Sequence, residues 1–154
     1  MSTLSQTGVH IRPAETGDLE TLGAWAAELL RQWDADATRE DAIRVYQRIL
    51  SSPEMGVIFV AEHNGVMSGF VYAAYQWRAE FAGETLDMVE MFVEQSWRNK
   101  GVGRALLDAL AAHARARQIH RITCQVHPGN AAIERALESG GFDPERRTLW
   151  GVRL

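Results

Sequence analysis

The sequence predicts a mixed α/β fold with the element order β-α-α-β-β-β-α-β-α-β-β. Three observations support this prediction. Near residue 56 the spacing of apolar residues changes from helical to strand-like. Asn64-Gly65 lies between two apolar runs, and a glycine-rich loop at 98–103 lies between a strand-like run and a helical run. Together they indicate a central antiparallel meander followed by one parallel β-α-β unit.

The first part of the chain predicts one short strand and two helices. Residues 9–12, in which Val9 and Ile11 alternate with His10 and Arg12, predict a short first strand, and Pro13 ends it. Apolar residues then recur at helical spacing from Leu19 to Trp33. A second helix is predicted at 41–50, with Tyr46 among its inward residues, and Pro53 follows its end.

Three strands of the meander follow. Residues 57–62 form the first, and Asn64-Gly65 predicts a type I′ turn, because both central residues of that turn need positive φ. The return strand is predicted at 67–75 and the third strand at 86–93.

The remaining elements complete the β-α-β unit and the end of the chain. A helix is predicted at 102–117, a strand at 120–126 and a further helix at 131–139, which Gly140-Gly141 ends. A helical crossover makes the strands on either side of it parallel. Residues 142–154 are expected to supply one or two final strands.

Length and composition indicate an ordinary globular protein. The 154 residues are 46% hydrophobic and 23% charged, which fits one domain spanning 1–154, with an ordered core at 8–154 and a flexible tail at 1–7. No apolar run approaches the roughly 18 residues of a membrane span. The first residues resemble no signal peptide, so the expected location is the cytoplasm.

Charge and residue usage exclude several functions. A net charge of −4 disfavours nucleic-acid binding. The single cysteine, Cys124, allows no internal disulfide or cysteine-cluster metal site, and its apolar surroundings disfavour a catalytic thiol. The five histidines show no metal-ligand spacing, so no metal is expected.

The loop Arg98-Asn99-Lys100-Gly101-Val102-Gly103 predicts an anion site at the start of a helix. The free N–H groups of a first helical turn and the helix dipole attract phosphate, and glycine lets the backbone approach it closely. A dinucleotide fingerprint would need glycine at Leu106, and a P-loop would need lysine after its second glycine. An ordinary glycine-rich connection remains the alternative.

The same motif resembles the coenzyme A loop of the GNAT family of N-acetyltransferases. The stretch from Val93 to Gly103 matches the family's strand-loop-helix motif. Asn130 is followed eleven and twelve residues later by Gly141 and Phe142, as in the family. The likeness is strongest at 86–142, and before that it concerns only the order of elements. The implied fold is therefore GNAT-like.

The resemblance implies a set of residues that contact acetyl-CoA, which would serve as cosubstrate without a metal. Backbone groups of the strand would pair with the pantetheine arm, and those of the loop and first helical turn would hold the pyrophosphate. Arg98, Lys100 or Arg104 would add positive charge. Asn130 would reach the ligand, cap the next helix, or do both. The full set is Met91, Phe92, Val93, Arg98, Asn99, Lys100, Gly101, Val102, Gly103, Arg104 and Asn130.

The general acid departs from the family pattern. The family often places a tyrosine seven residues after the asparagine, and here that position is Leu137. Tyr72 and Tyr75 are candidate substitutes, although packing is the commoner role for such residues. A thiol with a pKa of about 8.5 also leaves readily as thiolate.

Two carboxylates on the third meander strand are candidates for the base that deprotonates the acceptor amine. Strand alternation predicts that Glu90 and Asp87 point to opposite faces, so that only one of them serves. Glu90 is the first choice because it lies closer to the expected thioester. A paired or solvated strand residue is the alternative.

The resemblance implies direct transfer of acetyl from acetyl-CoA to a primary amine. Acidic and aromatic residues on the first two helices and at the turn after the return strand suit a small cationic acceptor: Trp25, Trp33, Asp34, Asp36, Tyr75, Trp77 and Glu80. A protein N-terminus or lysine is the alternative acceptor, and a non-catalytic acyl-CoA sensor is the alternative function. No nucleic acid or membrane partner is expected, and a homodimer stays open.

Overall fold

A five-stranded mixed sheet, with its strands in chain order from β1 to β5, organises the computed structural model, which describes residues 8–154. The tail predicted at 1–7 lies outside the described residues. The first three strand pairs are antiparallel and the last pair, β4–β5, is parallel, as predicted. The strands are β1 His10–Pro13, β2 Gly56–His63, β3 Val66–Arg78, β4 Gly83–Val93 and β5 Ile122–Cys124. The helices are α1 Leu19–Gln32, α2 Arg39–Ser51, α3 Val102–Ala116 and α4 Ala131–Ser139.

The turn between β2 and β3 confirms the hairpin predicted from the sequence. Asn64 and Gly65 have φ values of 50° and 78°, so both central residues are left-handed, as a type I′ turn requires. This turn fixes the register of β2 and β3, in which Val60 lies opposite Phe70.

Helices cover both faces of the sheet and give it two cores. On one face α1 and α2 pack against Phe70, Tyr72 and Phe92 of the central strands. On the other face α3 and α4 pack against a second set that includes Leu86 and Met88. β4 therefore contributes side chains to both helical layers, Leu86 and Met88 to one and Phe92 to the other.

The final strands predicted at 142–154 are not formed, which corrects the last part of the element order. In the described chain, residues 143–154 contain no strand, and Trp150 is 88% exposed. β5 is only three residues long, so it offers few ladder groups to a further strand. Ion pairs hold this segment instead, joining Arg147 to Glu80, Glu145 to Arg121 and Arg153 to Asp36.

No helix in the described part of the chain is both long enough and apolar enough to cross a membrane.

Candidate active site

A cleft opens where β4 and β5 diverge. The two strands pair only through Leu86–Ile122, Asp87–Thr123 and Met88–Cys124, although β4 continues to Val93. We call this opening the β4–β5 cleft. It is lined by Leu29, Trp33, Met88, Val89, Glu90, Met91, Gln125, Val126, His127, Asn130 and Ile133. The divergence is the one that the GNAT resemblance requires.

The backbone of β4 presents an open edge along this cleft. The Glu94 N–H donates to Ser68 O of the β3 side at 2.9 Å, and backbone groups alternate in direction along a strand. Met91 and Val93 therefore direct their N–H and C=O groups away from β3. The Val93 carbonyl accepts from Arg98 Nε at 3.0 Å, which agrees with this direction. Phe92 lies between them and pairs with Phe70, so by the same alternation its backbone groups face β3.

The glycine loop at 98–103 places the start of α3 beside the end of the β4 edge. Asn99 and Gly101 have φ values of 60° and 82°, and this left-handed backbone turns the chain into the helix. The first helical bond runs from Ala105 N–H to Gly101 O at 3.0 Å. Consequently the N–H groups of 102–104 have no acceptor within the helix, and no side chain in the described residues caps them. Such a helix start attracts an anion.

Cationic side chains surround the loop but make contacts elsewhere. Arg98 lies over the Phe92 ring, 5.8 Å from its centroid, and Lys100 lies over the Trp97 ring at 5.3 Å. Arg104 bonds to Asp108 at 2.9 Å and to the Ser139 carbonyl. An anion at the loop would therefore be held first by backbone N–H groups.

Asn130 lines the β4–β5 cleft and also caps α4. Its Oδ1 accepts from Ile133 N–H at 3.3 Å, so the capping role expected from the sequence is present. The amide nitrogen of the same side chain is not used by this cap. Capping and ligand contact are therefore compatible.

A β-bulge at Val89 places Glu90 and Asp87 on the same face, which corrects the expectation of opposite faces. Tyr72 pairs with Glu90 but its neighbour Ala73 pairs with Met88, so Val89 is the extra residue. One extra residue between two positions reverses the alternation after it. Both carboxylates consequently lie near Tyr72. Burial is the main cause that raises the pKa of Tyr72, and the charges of Glu90 and Asp87 raise it further.

Glu90 lies in a half-buried position against α2. The hydroxyl of Tyr46, which is 1% exposed, donates to Glu90 Oε2. Burial raises the pKa of Glu90, and the Tyr46 hydrogen bond opposes this rise. The sequence placed Tyr46 only as an inward helical residue. Its partner lies 44 residues away, so no local signal identified the contact.

Asp87 is held differently from Glu90. Thr123 Oγ1 donates to Asp87 Oδ1 at 3.0 Å, joining β5 to β4 just before the strands diverge. Each carboxylate therefore accepts one hydrogen bond from a described side chain, Asp87 from β5 and Glu90 from α2.

The two tyrosines considered as acids lie on different faces. Tyr75 bonds through its hydroxyl to His113 Nε2 at 2.6 Å on the α3 face, away from Glu90. Tyr72 lies on the Glu90 face and its pKa is raised, chiefly by burial. Leu137, at the position where the family often has tyrosine, is 6% exposed in the α3–α4 core.

The aromatic and acidic residues expected to form one acceptor surface are dispersed. Trp25 packs between Phe70 and Phe92 in the core, with ring centroids 6.1 and 5.4 Å away. Asp36 and Glu80 form ion pairs with arginines of the final segment, and Trp77 is 79% exposed. Of this set only Trp33 lines the β4–β5 cleft, where its ring stacks on His127 at 5.0 Å.

Metal-ligating side chains and the Cys124 thiol are two further features of the described residues. Residues 8–154 contain no group of three or more histidine, cysteine or carboxylate side chains that could hold a metal. Burial raises the pKa of Cys124 to about 11, so at neutral pH its sulfur is a protonated thiol and a poor nucleophile.

Comparison with known proteins identifies the class. Residues 19–142 match the model of the acetyltransferase (GNAT) family. The chain therefore belongs to the acetyltransferase (GNAT) family, and the family assignment made from the sequence is confirmed.

Two relatives of the chain are both mycothiol acetyltransferases. The chain is 33% identical to mycothiol acetyltransferase of Thermobispora bispora and 31% identical to that of Thermobifida fusca, with 94% of the chain covered in each case. It spans about half the length of these curated relatives, 48% and 43% respectively.

Solved structures confirm the fold. An integron cassette protein from a salt-marsh metagenome superposes with a TM-score of 0.81 at 21% identity, covering 94% of this chain and 90% of that one. The aminoglycoside N-acetyltransferase AAC(6')-Iy in complex with CoA superposes with a TM-score of 0.81 at 18% identity, covering 99% and 96%. At these identities the likeness concerns the fold alone.

Proposed function

We propose that the chain uses acetyl-CoA to acetylate a primary amine of a small cationic molecule by direct transfer. The observation that carries the proposal is the open edge of β4 at Met91 and Val93, which leads to the uncapped start of α3. An extended amide-containing ligand that ends in a pyrophosphate is complementary to this pair of features. The solved aminoglycoside N-acetyltransferase with the same fold binds CoA, which supports the same assignment.

The loop and the edge of β4 offer backbone groups of the kind that coenzyme A needs. A side chain added at Gly103 would meet Met91 and Val93 only at 3.9 Å, so the loop lies against the strand edge without crowding it. Gly101 and the N–H groups of 102–104 would hold the pyrophosphate, and Asn130 would contact the pantetheine arm. When bound, acetyl-CoA supplies the activated acetyl group.

Glu90 is the proposed base. A primary amine with a pKa near 10.4 is protonated at neutral pH and must lose a proton before it attacks. Burial raises the pKa of Glu90, which makes it a stronger proton acceptor than an exposed carboxylate. Asp87 lies on the same face and adds negative charge near a cationic acceptor.

The acceptor is proposed to be small because both curated relatives are mycothiol acetyltransferases and a solved neighbour is an aminoglycoside N-acetyltransferase. The support within the site is two carboxylates on one face and the ring of Trp33 at the cleft. These groups suit a cation through charge and cation–π contact.

One observation favours a second function, an acyl-CoA sensor without turnover. Leu137 fills the α3–α4 core at the position where a tyrosine acid is often found. Tyr75 cannot replace that acid because its hydroxyl bonds to His113 on the α3 face. A protein that binds acetyl-CoA but lacks a proton donor would show tight binding and no transfer.

A thiol-release assay with acetyl-CoA distinguishes these functions. The acceptor panel contains polyamines, amino sugars, aminoglycosides and peptides with free N-termini or lysines. Saturable thiol release with a small amine supports the proposal. Mass shifts confined to peptides would support a protein acetyltransferase. Coenzyme binding by calorimetry with no release across the panel would support the sensor.

A further inference from the structure

Tyr46 contacts the proposed base although neither the sequence motif nor the cleft lining includes it. The residue lies on α2, and its hydroxyl donates to Glu90 Oε2 across the face that covers β4. At 1% exposure Tyr46 is enclosed, so the geometry of this contact is set by packing. Its ring meets Phe70 at 5.7 Å and Tyr72 at 6.0 Å, both edge-on.

The hydrogen bond fixes the direction in which Glu90 presents its second oxygen. A carboxylate that accepts at Oε2 from a fixed donor is held in one orientation, and Oε1 of Glu90 accepts from no described side chain. Glu90 also lines the β4–β5 cleft. Glu90 thus lies between the buried Tyr46 hydroxyl, which holds one of its oxygens, and the β4–β5 cleft.

Tyr46 remains a hydrogen-bond donor throughout the physiological pH range. Burial and then the charge of Glu90 raise the pKa of its phenol, so the proton stays on the tyrosine. Tyr46 is therefore not a base itself, and its role must be exerted through Glu90.

We propose that Tyr46 is a positioning residue that orients Glu90 toward the cleft and, through its hydrogen bond, stabilises the anionic form of this carboxyl. This inference rests on the proposed function, in which Glu90 is the base. Other titratable groups near Glu90 are Tyr72 of β3, Asp87 of β4 itself and His127 at the cleft. Only Tyr46 donates a hydrogen bond to Glu90 among the described residues.

Tyr46→Phe tests the proposal by removing one oxygen atom and retaining the ring. Without the donor, the anionic form of Glu90 loses stabilisation while its burial is unchanged, so the pKa rises. We expect an upward shift of about one unit, in line with the loss of a hydrogen bond to a charged group. Carbon-detected NMR titration of the coenzyme-free protein, with Glu90→Gln assigning the signal, measures this shift without any need for turnover.

Tyr72→Phe is the matched control. It removes a hydroxyl from the same aromatic cluster and the same face, but that hydroxyl bonds to no described residue. We expect the Glu90 pKa to stay unchanged in this variant. Equal Glu90 pKa values in wild type and Tyr46→Phe would overturn the proposal, and so would an equal shift in both phenylalanine variants.

Two further measurements connect the shift to activity. The first is the pH dependence of kcat/KM, measured with several acceptor amines. A limb of this profile that stays at the same pH when the amine is changed reports a group of the enzyme. In Tyr46→Phe we expect this limb to move to higher pH together with the Glu90 pKa. Replacement of tyrosine by 3-fluorotyrosine, which makes the phenol a stronger donor, should move the same pKa downward.

Failure of the proposed function gives a different result. If Glu90→Gln retains wild-type activity, Glu90 is not the base. The proposed role of Tyr46 in catalysis is then overturned as well, although the chain still transfers acetyl. If Glu90→Gln is inactive while the Tyr46→Phe profile is unmoved, only the positioning role is overturned.

Discussion

The two faces of the sheet meet at the β4–β5 cleft, but their site residues are brought there in different ways. On the α3–α4 face most of the groups that would bind coenzyme lie within one short segment, where an extended strand, a left-handed Gly101 and a helix start follow each other, and Asn130 is added from the start of α4. On the α1–α2 face Glu90 depends on Tyr46, 44 residues earlier in the chain. A local segment can therefore specify one half of the site, whereas the other half exists only after folding.

This comparison predicts that changes on one face affect one ligand more than the other. The largest effect is expected for Glu90→Gln, which removes the proposed base and retains the shape of the side chain. Since general base catalysis contributes about 10²- to 10⁴-fold, we expect kcat/KM to fall at least about 100-fold while the Kd of acetyl-CoA changes little. Steady-state kinetics and calorimetry measure the two quantities.

Asp87→Asn is the control for this variant, because both carboxylates lie on one face. The Thr123 bond should leave Asp87 a smaller role, with a loss below about tenfold. If Asp87→Asn were the more damaging change, the role of base would pass to Asp87.

The next effect concerns the packing of α1 on α2. A Cβ at Gly23 would lie 2.5 Å from Ile43 Cγ1, so Gly23→Val forces α2 to move and should lower the free energy of unfolding by about 2 kcal/mol. Since α2 carries Tyr46, the KM of the acceptor should rise more than the Kd of acetyl-CoA. Denaturant unfolding and kinetics check both.

Gly17→Val is the matched control, because a Cβ at Gly17 meets nothing within 4 Å. It should leave the KM of the acceptor unchanged. If Gly23→Val weakened acetyl-CoA binding as much as acceptor binding, the two faces would not be separable.

A smaller effect is expected on the coenzyme side. Gly101→Ala places a side chain at φ 82°, where an L-residue costs roughly 1–2 kcal/mol, and relaxation of this strain would turn the first N–H groups of α3. We expect acetyl-CoA to bind about tenfold more weakly, a change of about 1.4 kcal/mol.

Gly65→Ala provides the corresponding control at φ 78°, in the hairpin turn between β2 and β3. It should show a similar loss of stability with unchanged binding of acetyl-CoA. Equal binding losses in the two variants would mean that the loop affects binding only through global stability.

The smallest effect is expected in the final segment, which belongs to neither half. Trp150 is 88% exposed, so Trp150→Ser should change the free energy of unfolding by less than about 0.5 kcal/mol. A loss of several kcal/mol in thermal or denaturant unfolding would show that this residue is buried in solution.

The sequence predicted most elements because their signals are local. The Asn64-Gly65 turn, the α4 span and the helix start after Gly101 each depend on neighbouring residues. The bulge at Val89 was not predictable, since a ladder irregularity depends on the partner strand. The error about Glu90 and Asp87 follows directly from this. The prediction of final strands was wrong because the residues at 142–154 carry no information about how few residues of β5 are available for pairing.

Arg98 has a consequence for how fast and how tightly any strand-like ligand can add to β4. Its Nε already donates to the Val93 carbonyl, the acceptor that such a ligand would need. Binding is then an exchange of one hydrogen bond for another, so the carbonyl contributes little to net affinity. The freed guanidinium becomes available to an anionic group of the same ligand. A single arginine would thus delay the start of binding and then secure the bound ligand.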